Sequence, residues 1–452
     1  MSMVDLRSCR PIVDGVLPLA FVVTIAFSAA CDAQPPRGRT TPASVSQRNT
    51  RDWPQWRGPN RDGLSADTKL LKKWPENGPP VVWKGTGLGE GFSSVSVAGD
   101  QIYTMGDLDD ACYLFAVSRD GGEVIWKAKI GRAGEGGGYR GPRSTPTVNE
   151  DRVYALSHFG DLVCANAKSG EIIWRKNLEK DFQGRSGGWK YAESPLVDGE
   201  KLVCTPGGRE ATMVALDKRS GKVIWKGRTE EGERAGYASA VVAEIGGLRQ
   251  YVQLLSQGGA SFAADDGRLL WRYGNRFEDN TANIPTPIVQ GDRVFFAAGY
   301  GRGGGMVRVT KEGSKFNVEE LWFERDLNNK HGGVIWVGDY LYGDRDDNGI
   351  PWCADARTGD IAWESRSQAG GSGSAAVTYA DGHLYWRFQN GVVALVLPTP
   401  DGYREVSSFT IPTSGEPGWP HPVVVDGRLY LRDQETLWCY DVRAKEEGRR
   451  AK

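Results

Sequence analysis

A tryptophan that ends an apolar triplet recurs at a nearly constant interval along the chain, and this recurrence constrains the fold more than any other feature. Examples are "EVIWKAK" (123–129), "EIIWRKN" (171–177) and "KVIWKGR" (222–228). The recurring positions lie 41 to 51 residues apart, at Trp83, Trp126, Trp174, Trp225, Trp271, Trp322, Trp363 and finally Phe409. Intervals of this size are typical of repeat folds in which each repeat is one supersecondary unit. Eight positions therefore predict eight units.

Each unit carries four short strand patterns. Residues 144–174 show the order most clearly: a small-or-Pro start, an acidic turn, the alternating "RVYAL", a third strand, and a Gly turn into the Trp strand. The same order recurs in 193–225, 333–363 and 421–442. Four strands bounded by Gly and Asp turns are typical of a propeller blade. The sequence predicts an all-β, eight-bladed β-propeller of four-stranded antiparallel blades.

The stretch "PVVWKG" (80–85) ends a unit that has no beginning. After Phe409 only three strand patterns remain, the last being "LWCYDV" (437–442), so the eighth unit lacks its Trp strand. Pairing of the two segments would complete the eighth blade and close the ring, whereas an open ring would leave unpaired strand edges. We therefore expect residues 80–85 to be the fourth strand of the last blade, in a propeller that spans 80–443.

The turn before several of the Trp strands has a recurring pattern, as in "ALDKRSGKVIW" (215–225) and "CADARTGDIAW" (353–363). The Asp can accept backbone N–H groups, the Gly can adopt positive φ, and the Trp can then dock on a neighbouring blade. These residues resemble the PQQ-like β-propeller repeat, which is named for the tryptophan-docking motif of pyrroloquinoline-quinone (PQQ) dehydrogenases.

A Trp-rich leader precedes the repeats. "DWPQWRGPNRDG" (52–63) resembles an N-terminal segment of exported bacterial members of that family. We expect the leader, residues 51–79, to pack across the propeller near the closing strand through Trp53, Trp56 and Arg57, with no part in chemistry.

The resemblance implies two classes of function. Some members are quinoprotein dehydrogenases that oxidise alcohols or sugars with PQQ and Ca²⁺, and others are non-catalytic scaffolds, such as the propeller lipoprotein of outer-membrane protein assembly. The alcohol-oxidising members typically carry adjacent cysteines, and this chain has none. Cys164, Cys353 and Cys439 share one repeat position, which Ala116 and Ala215 fill in other blades. We therefore expect these cysteines to be unbridged core residues.

The N-terminal segment predicts export. An apolar run, "VLPLAFVVTIAFSAAC" (16–31), follows two arginines and precedes a polar segment, as in a secretory signal peptide. Residues 1–31 are thus a predicted signal peptide, with Cys31 as a candidate lipidation site and membrane tether; a single N-terminal membrane anchor is the alternative. Residues 32–50 are predicted to be a flexible linker, and 444–452 a charged tail. The expected location is the periplasm or cell envelope.

Charge and local motifs exclude several other functions. The net charge of −1 argues against a nucleic-acid partner. The four histidines show no metal-ligand spacing, and His383 stands at a turn where we expect exposure. "DRDDNG" (344–349) lacks the downstream Glu of a calcium loop, so we expect a hairpin turn. No nucleophile motif is present, and no metal site is predicted.

A binding surface is predicted where the loops into the innermost strands converge. These loops are rich in polar and aromatic residues, and they comprise 137–144, 184–194, 277–285, 325–333 and 414–422. The candidate binding residues are Arg140, Arg143, Trp189, Tyr191, Glu193, Asn280, Asn283, Asn328, His331, Trp419 and His421. In a quinoprotein site, the resemblance implies a carboxylate and an amide for Ca²⁺, a cation and a Trp floor, types that Glu193, Asn283, Arg143 and Trp189 could supply.

The sequence therefore predicts an exported, monomeric, non-catalytic propeller that binds a protein or glycan partner at the cell envelope. No cofactor is expected under this interpretation. The alternative is a PQQ- and Ca²⁺-dependent dehydrogenase that lacks the adjacent cysteines. An enzyme would need a deep pocket with a coordinated cation, whereas a scaffold needs exposed aromatic and polar residues at its rim.

Overall fold

The computed structural model describes residues 51–278 and 280–445, and almost all of its regular structure is β-strand. The predicted signal peptide, the Cys31 lipidation site, the linker and most of the tail lie outside the described residues. Within the described part of the chain, no helix has the length and apolar character that a membrane span requires.

The strands form eight four-stranded antiparallel sheets within the described ranges, as predicted. The first strand of the described residues is β1 (Val81–Gly85). Blade 1 comprises β2 (Ser96–Ala98), β3 (Gln101–Leu108), β4 (Ala111–Ser118) and β5 (Val124–Arg132), and a hairpin of β6 (Glu135–Gly136) and β7 (Tyr139–Arg140) follows. Blade 2 comprises β8 (Thr147–Asn149), β9 (Arg152–Leu156), β10 (Asp161–Asn166) and β11 (Ile172–Asn177), followed by the short helix α1 (Leu178–Phe182). Blade 3 comprises β12 (Leu196–Asp198), β13 (Lys201–Cys204), β14 (Met213–Asp217) and β15 (Val223–Gly227).

The remaining blades continue in the same order. Blade 4 comprises β16 (Val241–Ile245), β17 (Leu248–Leu255), β18 (Gly258–Ala263) and β19 (Leu269–Tyr273). Blade 5 comprises β20 (Ile288–Gln290), β21 (Arg293–Ala298), β22 (Gly303–Glu312) and β23 (Lys315–Glu324), followed by a 3₁₀ turn (Arg325–Leu327). Blade 6 comprises β24 (Ile335–Val337), β25 (Tyr340–Asp344), β26 (Pro351–Asp355) and β27 (Ile361–Glu364). Blade 7 comprises β28 (Ala375–Ala380), β29 (His383–Phe388), β30 (Val392–Val396) and β31 (Glu405–Thr410). Blade 8 contains β32 (Val423–Val425), β33 (Arg428–Asp433) and β34 (Thr436–Asp441).

The eighth blade is completed by the N-terminal strand, which confirms the predicted closure. β1 pairs antiparallel with β34, with Trp83 opposite Cys439 and Gly85 opposite Leu437. The sheet order is β1-β34-β33-β32, so the two ends of the propeller share one sheet. Both edges that an open ring would expose are thereby paired or packed.

Adjacent blades contact each other through the repeated tryptophans. The Trp225 indole Nε1 donates to the Ala264 carbonyl of blade 4 at 3.0 Å. A Cβ on Gly267 would lie only 2.3 Å from that ring, so glycine lets the ring approach the backbone. The same pairing joins Trp83 to Gly122, Trp126 to Gly170, Trp174 to Gly221 and Trp322 to Gly359. Trp271 differs, because its Nε1 donates to Gln250 Oε1 within its own blade.

The leader crosses the centre of the ring and forms hydrogen bonds with the blades through its backbone and its side chains. Backbone hydrogen bonds join Trp53 N to Val97 O, Val148 N to Pro54 O, Ser65 N to Tyr379 O and Leu71 N to Val442 O. Side chains of the leader make the other bonds: Arg61 donates to the Ser194 and Ala240 carbonyls, Trp56 Nε1 to Thr286 Oγ1, and Arg57 to the Val334 carbonyl. Together these partners come from all eight blades. The leader therefore ties the ring together at its centre.

Only part of the leader lies where the sequence placed it. Trp53 packs in one core cluster with Trp83 of the closing strand, as expected. Trp56 and Arg57 instead reach the central axis and line a cavity there. The prediction that they pack near the closing strand was wrong, because the leader continues across the ring after Trp53.

Three other expectations can be compared with the structure. Cys164, Cys353 and Cys439 are buried and unbridged, which confirms their assignment to the core. Residues 345–350 connect the paired ends of β25 and β26 as a hairpin turn, as predicted. His383 is buried, so its predicted exposure was wrong; its Nδ1 lies 3.2 Å from the Asp381 carbonyl oxygen at the start of β29.

Candidate functional site

A cavity of about 410 Å³ lies where the loops into the innermost strands meet. All five loops that the sequence singled out contribute to it. Its lining includes the aromatic, charged and amide side chains of Trp56, Arg57, Phe92, Tyr139, Arg143, Trp189, Tyr237, Tyr300, Lys330, His331, Asp347, Gln389, Trp419 and His421. Loops converge here because every blade begins at the centre of the ring and is entered from the same side.

Aromatic rings form two walls of the cavity. On one wall, His331 stacks on Trp419 with ring centroids 4.0 Å apart and planes 19° apart. Phe92 and Tyr139 contact the same indole at 4.7 and 4.8 Å. On the other wall, Trp189 contacts Tyr237 at 6.0 Å and Tyr300 at 6.4 Å. Such walls favour flat or apolar groups and can stack on sugar or aromatic faces.

The floor of the cavity contains a buried arginine from the leader. Arg57 is only 3% exposed, and its Nη2 donates to the carbonyls of Val334 at 2.5 Å and Asp62 at 3.1 Å. Its Nε and Nη1 are buried and have no hydrogen-bond partner. Burial lowers the pKa of Arg57 to about 10, so the guanidinium is charged at neutral pH. A buried cation with unused donors favours an anionic or carbonyl-bearing ligand.

Two further cations and one carboxylate lie around the rim of the cavity. The Lys330 ammonium donates to Asp347 and lies 4.3 Å from the centre of the Tyr300 ring. Asp347 Oδ1 also accepts the Ser374 hydroxyl at 2.6 Å. Arg143 donates to the carbonyls of Gly141, Gly136 and Tyr139 and so holds the β6–β7 hairpin in place. With Arg57, the described lining thus has three cations against a single carboxylate.

The two histidines of the cavity are neutral. Burial lowers the pKa of both His331 and His421 to about 3. His421 Nε2 donates to the His331 carbonyl at 2.9 Å, and its ring contacts Trp56 at 4.4 Å. His331 Nδ1 lies 3.0 Å from Ser374 Oγ. They act as polar, uncharged parts of the wall, so the positive charge comes from the arginines and the lysine.

The structure brings five of the eleven predicted residues to the cavity, namely Arg143, Trp189, His331, Trp419 and His421. The other six make structural contacts beside it. Arg140 forms an ion pair with Glu90 at 3.3 Å. Four side chains donate to backbone carbonyls: Tyr191 to Pro206, Asn280 to Ala282, Asn283 to Leu255 and Asn328 to Arg325. Glu193 accepts a hydrogen bond from the side-chain amide of Gln253.

The carboxylate and amide suggested for a calcium ion do not face the cavity. Glu193 is buried, accepts the Thr205 amide and the Gln253 side-chain amide, and lies close enough to Arg61 to interact with its charge. Asn283 uses its amide nitrogen on the carbonyls of Leu255 and Phe277. The one carboxylate of the described lining, Asp347, is paired with Lys330. This donor set does not fit a PQQ-bound Ca²⁺, because its oxygens are already committed to the fold.

Several cavity residues were missed by the sequence interpretation. Trp56 and Arg57 stand in the leader, before the first repeat, so the repeat pattern could not place them. Tyr300 lies in a Gly-rich turn and Asp347 in the β25–β26 hairpin turn, where only spatial proximity makes them neighbours. The one available signal was the pair of aromatic residues beside an arginine in "WPQWRG".

The chain was compared with known proteins. A family model described as "Outer membrane protein assembly factor BamB" matches residues 111–365. Outer membrane protein assembly factor BamB of Yersinia pestis is 23% identical over 247 residues, or 52% of this chain and 50% of that protein. A 1-butanol dehydrogenase (quinone) of Thauera butanivorans is 28% identical over 87 residues, or 19% of this chain and 14% of that protein. The chain therefore aligns with half or less of the length of these curated relatives.

Solved structures of both functional classes share the fold. BamB from Moraxella catarrhalis superposes with a TM-score of 0.50 and 14% identity, covering 76% of this chain and 95% of that one. The quinohemoprotein alcohol dehydrogenase from Comamonas testosteroni superposes with a TM-score of 0.59 and 12% identity, covering 88% and 81%. Identities this low establish the architecture alone. The match of the family model over more than half of the sequence shows that the chain belongs to the β-propeller family described as outer membrane protein assembly factor BamB.

Proposed function

We propose that the protein is an exported, non-catalytic scaffold of the cell envelope, which binds a protein partner through the loop-rich face around the central cavity. The partner inserts an acidic side chain between the aromatic walls, toward Arg57. Membership of a family described as an assembly factor supports a role in protein–protein contacts. Export through the predicted signal peptide, with or without lipidation of Cys31, is part of this proposal.

The observation that carries the proposal is the buried guanidinium of Arg57, which lines an aromatic cavity and has two nitrogens without a hydrogen-bond partner. Leaving a buried donor unsatisfied costs roughly 1–3 kcal/mol, and more for a charged group. Arg57 keeps two donating nitrogens without a partner and lines the same cavity as Trp56, Trp419 and His421. A carboxylate from a partner would accept from one of these donors, and its surrounding side chains would bury the exposed parts of the rings. Buried aromatic and arginine anchors of this kind dominate binding energy in protein interfaces.

The dehydrogenase alternative is less well supported by the cavity. Trp189 and Arg143 line it, as the quinoprotein interpretation requires. Glu193 and Asn283, which that interpretation assigns to Ca²⁺, are engaged by the backbone and by other side chains. A scaffold needs no coordinated cation, so it accommodates both facts.

Photo-crosslinking in the native host tests the proposed face. A photoreactive amino acid at Tyr300, on the rim of the cavity, should yield a defined adduct with one envelope protein, identified by mass spectrometry. The same amino acid at Val223, on the exposed outer strand of blade 3, should not yield that adduct. An adduct from Val223 alone would place the contact at the circumference and contradict the proposal, and a glycan adduct at Tyr300 would replace the protein partner with a carbohydrate.

The electrostatic part is tested with charge-neutral variants. Arg143→Gln combined with Lys330→Gln should reduce the yield of the adduct about tenfold, since loss of close charge pairs at an interface weakens binding by a few kcal/mol or less. Lys168→Gln, on an exposed turn of blade 2, is the matched control and should leave the yield unchanged. Equal yields in all three proteins would contradict an acidic partner group.

A cofactor titration distinguishes the scaffold from the enzyme. The purified protein is titrated with PQQ and Ca²⁺ while tryptophan fluorescence and dye-linked oxidation of alcohols and sugars are followed. We expect no turnover and no saturable quenching at micromolar cofactor. Saturable binding with turnover would make the protein a quinoprotein dehydrogenase and overturn the scaffold assignment.

A further inference from the structure

A thiol, a carboxylate and an imidazole meet between blades 1 and 2, and Arg143 of the cavity lining is close enough for its charge to act on the carboxylate and the imidazole. Asp107 and Cys112 face each other across the β3–β4 hairpin, and His158 lies in the turn between β9 and β10 of the next blade. One ligand atom of each lies within 4.8 Å of the others. The three side chains are only 2%, 0% and 0% exposed. Such a buried set of ionisable groups needs partners, or it destabilises the fold.

Asp107 and His158 each have one polar side-chain atom in contact with a backbone group and a second one without a partner. Gly134 N donates to Asp107 Oδ2 at 2.8 Å, and the Gly134 carbonyl oxygen lies 2.9 Å from His158 Nε2. Asp107 Oδ1 and His158 Nδ1 are buried and have no hydrogen-bond partner. A single glycine backbone thus holds one polar atom on each side chain. These two atoms, His158 Nε2 and Asp107 Oδ2, lie 3.8 Å apart, and the second polar atom of each side chain has no hydrogen-bond partner.

We propose that Asp107, Cys112 and His158 form a zinc site that links blade 1 to blade 2. Thiolate, imidazole and carboxylate are the ligand types that Zn²⁺ prefers, and three protein ligands with a water complete a tetrahedron. The ligand atoms need to approach to about 3–4 Å of one another for bonds of about 2.0–2.3 Å, a small movement from their present spacing. The charges of one thiolate and one carboxylate neutralise the ion, as a buried site requires.

The backbone of Gly134 has the role of an outer shell in this arrangement. A metal-bound histidine usually donates its other ring N–H to a carbonyl or carboxylate, which fixes the orientation of the ring. With zinc bound at His158 Nδ1, the Nε2 contact with the Gly134 carbonyl would provide that bond. The Gly134 amide does the same for the carboxylate of Asp107.

The position of the site gives it a consequence for the cavity. Gly134 begins the segment 134–143, which contains the β6–β7 hairpin and carries Tyr139 and Arg143 into the cavity wall. A bound ion would hold the start of this segment in place at Gly134, which contacts both Asp107 and His158. Zinc would then stabilise both the contact between two blades and the shape of one wall of the cavity.

Metal analysis and a spectroscopic probe test the proposal on the full chain. The protein is purified with a chelator, dialysed, loaded with Zn²⁺ and dialysed again, and the bound zinc is measured by mass spectrometry. We expect about one equivalent, together with a rise of several degrees in Tm on loading, because a ligand that binds only the folded state stabilises it. Loading with Co²⁺ should produce a thiolate-to-cobalt charge-transfer band and the intense visible bands of a tetrahedral ion.

Matched variants assign the ligands. Cys112→Ser should abolish the charge-transfer band and reduce zinc binding at least tenfold, and Asp107→Asn should weaken binding while it keeps the thiolate band. Cys353→Ser changes an equally buried, unbridged thiol in blade 6 and should behave as the unchanged protein. If Cys112→Ser does not fold, the same assignment is made with His158→Gln.

Two results would overturn the proposal. One is the absence of retained zinc and of any Tm shift in the unchanged protein. The other is a cobalt spectrum that Cys112→Ser leaves unaltered, because the metal would then be bound elsewhere.

Discussion

The outer rim and the central face of this propeller are built in opposite ways. At the rim, the same contact is repeated from blade to blade: an indole packs on a glycine of the next blade and donates to a carbonyl there, as Trp83 does to Arg119 and Trp225 to Ala264. At the centre, the blades contribute loops of different sequence. Trp189, His331 and Trp419 come from three such loops, and Trp56 comes from outside the repeats.

This difference indicates that residues at the outer rim stabilise the fold, whereas residues near the central axis serve the proposed binding function. Contacts of the same geometry stabilise the interfaces between neighbouring blades, so each interface adds a similar term to the stability of the ring. The loops at the centre contribute little to those interfaces, and each is free to carry a different side chain. We therefore expect substitutions at the rim to alter unfolding and substitutions at the centre to alter binding.

The largest expected effect is at the joint where the chain closes on itself. Deletion of residues 79–87 removes β1, leaves the edge of β34 unpaired, and removes the contact of Trp83 with Gly122 of blade 1. We expect the deleted protein to lose its single cooperative melting transition, followed by circular dichroism. Val82→Thr, at an exposed position of the same strand, is the control and should change the free energy of unfolding by about 0.5 kcal/mol or less. A normal melting transition after the deletion would refute the closure by β1.

A smaller effect is expected from a single joint of the rim. Gly267→Ala places a Cβ at 2.3 Å from the Trp225 ring on a backbone with φ of +74°. Positive φ and the clash together should lower the free energy of unfolding by about 3 kcal/mol, as measured by denaturant titration. Gly313→Ala is a matched control, since its φ is +59° and no atom lies within 4 Å of the added Cβ. It should lose about 1 kcal/mol; equal losses would mean that the joint contributes nothing beyond backbone strain.

The same contrast explains how much of the molecule the sequence predicts. The rim could be predicted almost completely, because Trp, Gly and Asp recur at fixed positions and each has a local mechanical role. Even the closing strand followed from counting the repeats. Blade 5 is the exception: its hairpin "TKEGSK" (310–315) lacks the docking turn, and Trp271 of blade 4 donates within its own blade instead.

The central site could be predicted only in part. Five of the candidate residues line the cavity, because the loops that carry them enter the ring from one side. Glu193 and Asn283 were candidates by residue type, but their side chains turn into the fold and anchor strands. The path of the leader brings Arg57 to the cavity, and two turns bring Tyr300 and Asp347 there. No local sequence pattern predicts these positions.

Glu193 belongs to the interior of the fold and not to the cavity, and its titration should affect the stability of the protein. Burial raises its pKa to about 7 from the usual 4.5. The folded state therefore binds the proton more tightly than the unfolded state, and the stabilisation that is present below about pH 4.5 is lost as the pH rises through 7. Glu193→Gln keeps a neutral side chain and should escape this loss, with a difference of about 2.5 kcal/mol between pH 5 and pH 8.

Denaturant titrations of both proteins at the two pH values measure this difference. Glu171→Gln, on an exposed turn of blade 2, should follow the pH dependence of the unchanged protein. Partner crosslinking from Tyr300 should also survive Glu193→Gln at pH 5, where both side chains are neutral. Parallel stability curves for the two proteins would show that the carboxyl titrates as an exposed group and would weaken its assignment to the interior.

The smallest effects are expected where the repeat places a cysteine in the core. Cys164 and Cys353 occupy the position that Ala215 fills in blade 3, and both are buried and unbridged. Replacing either with Ala removes one sulfur atom from a packed sheet and should lower the free energy of unfolding by about 1 kcal/mol, with the yield of the partner adduct unchanged. A selective loss of binding would show that the cores of the blades and the central face are coupled. Cys112→Ala sharpens the comparison, since under the zinc proposal it alone should also abolish the metal-dependent rise in Tm.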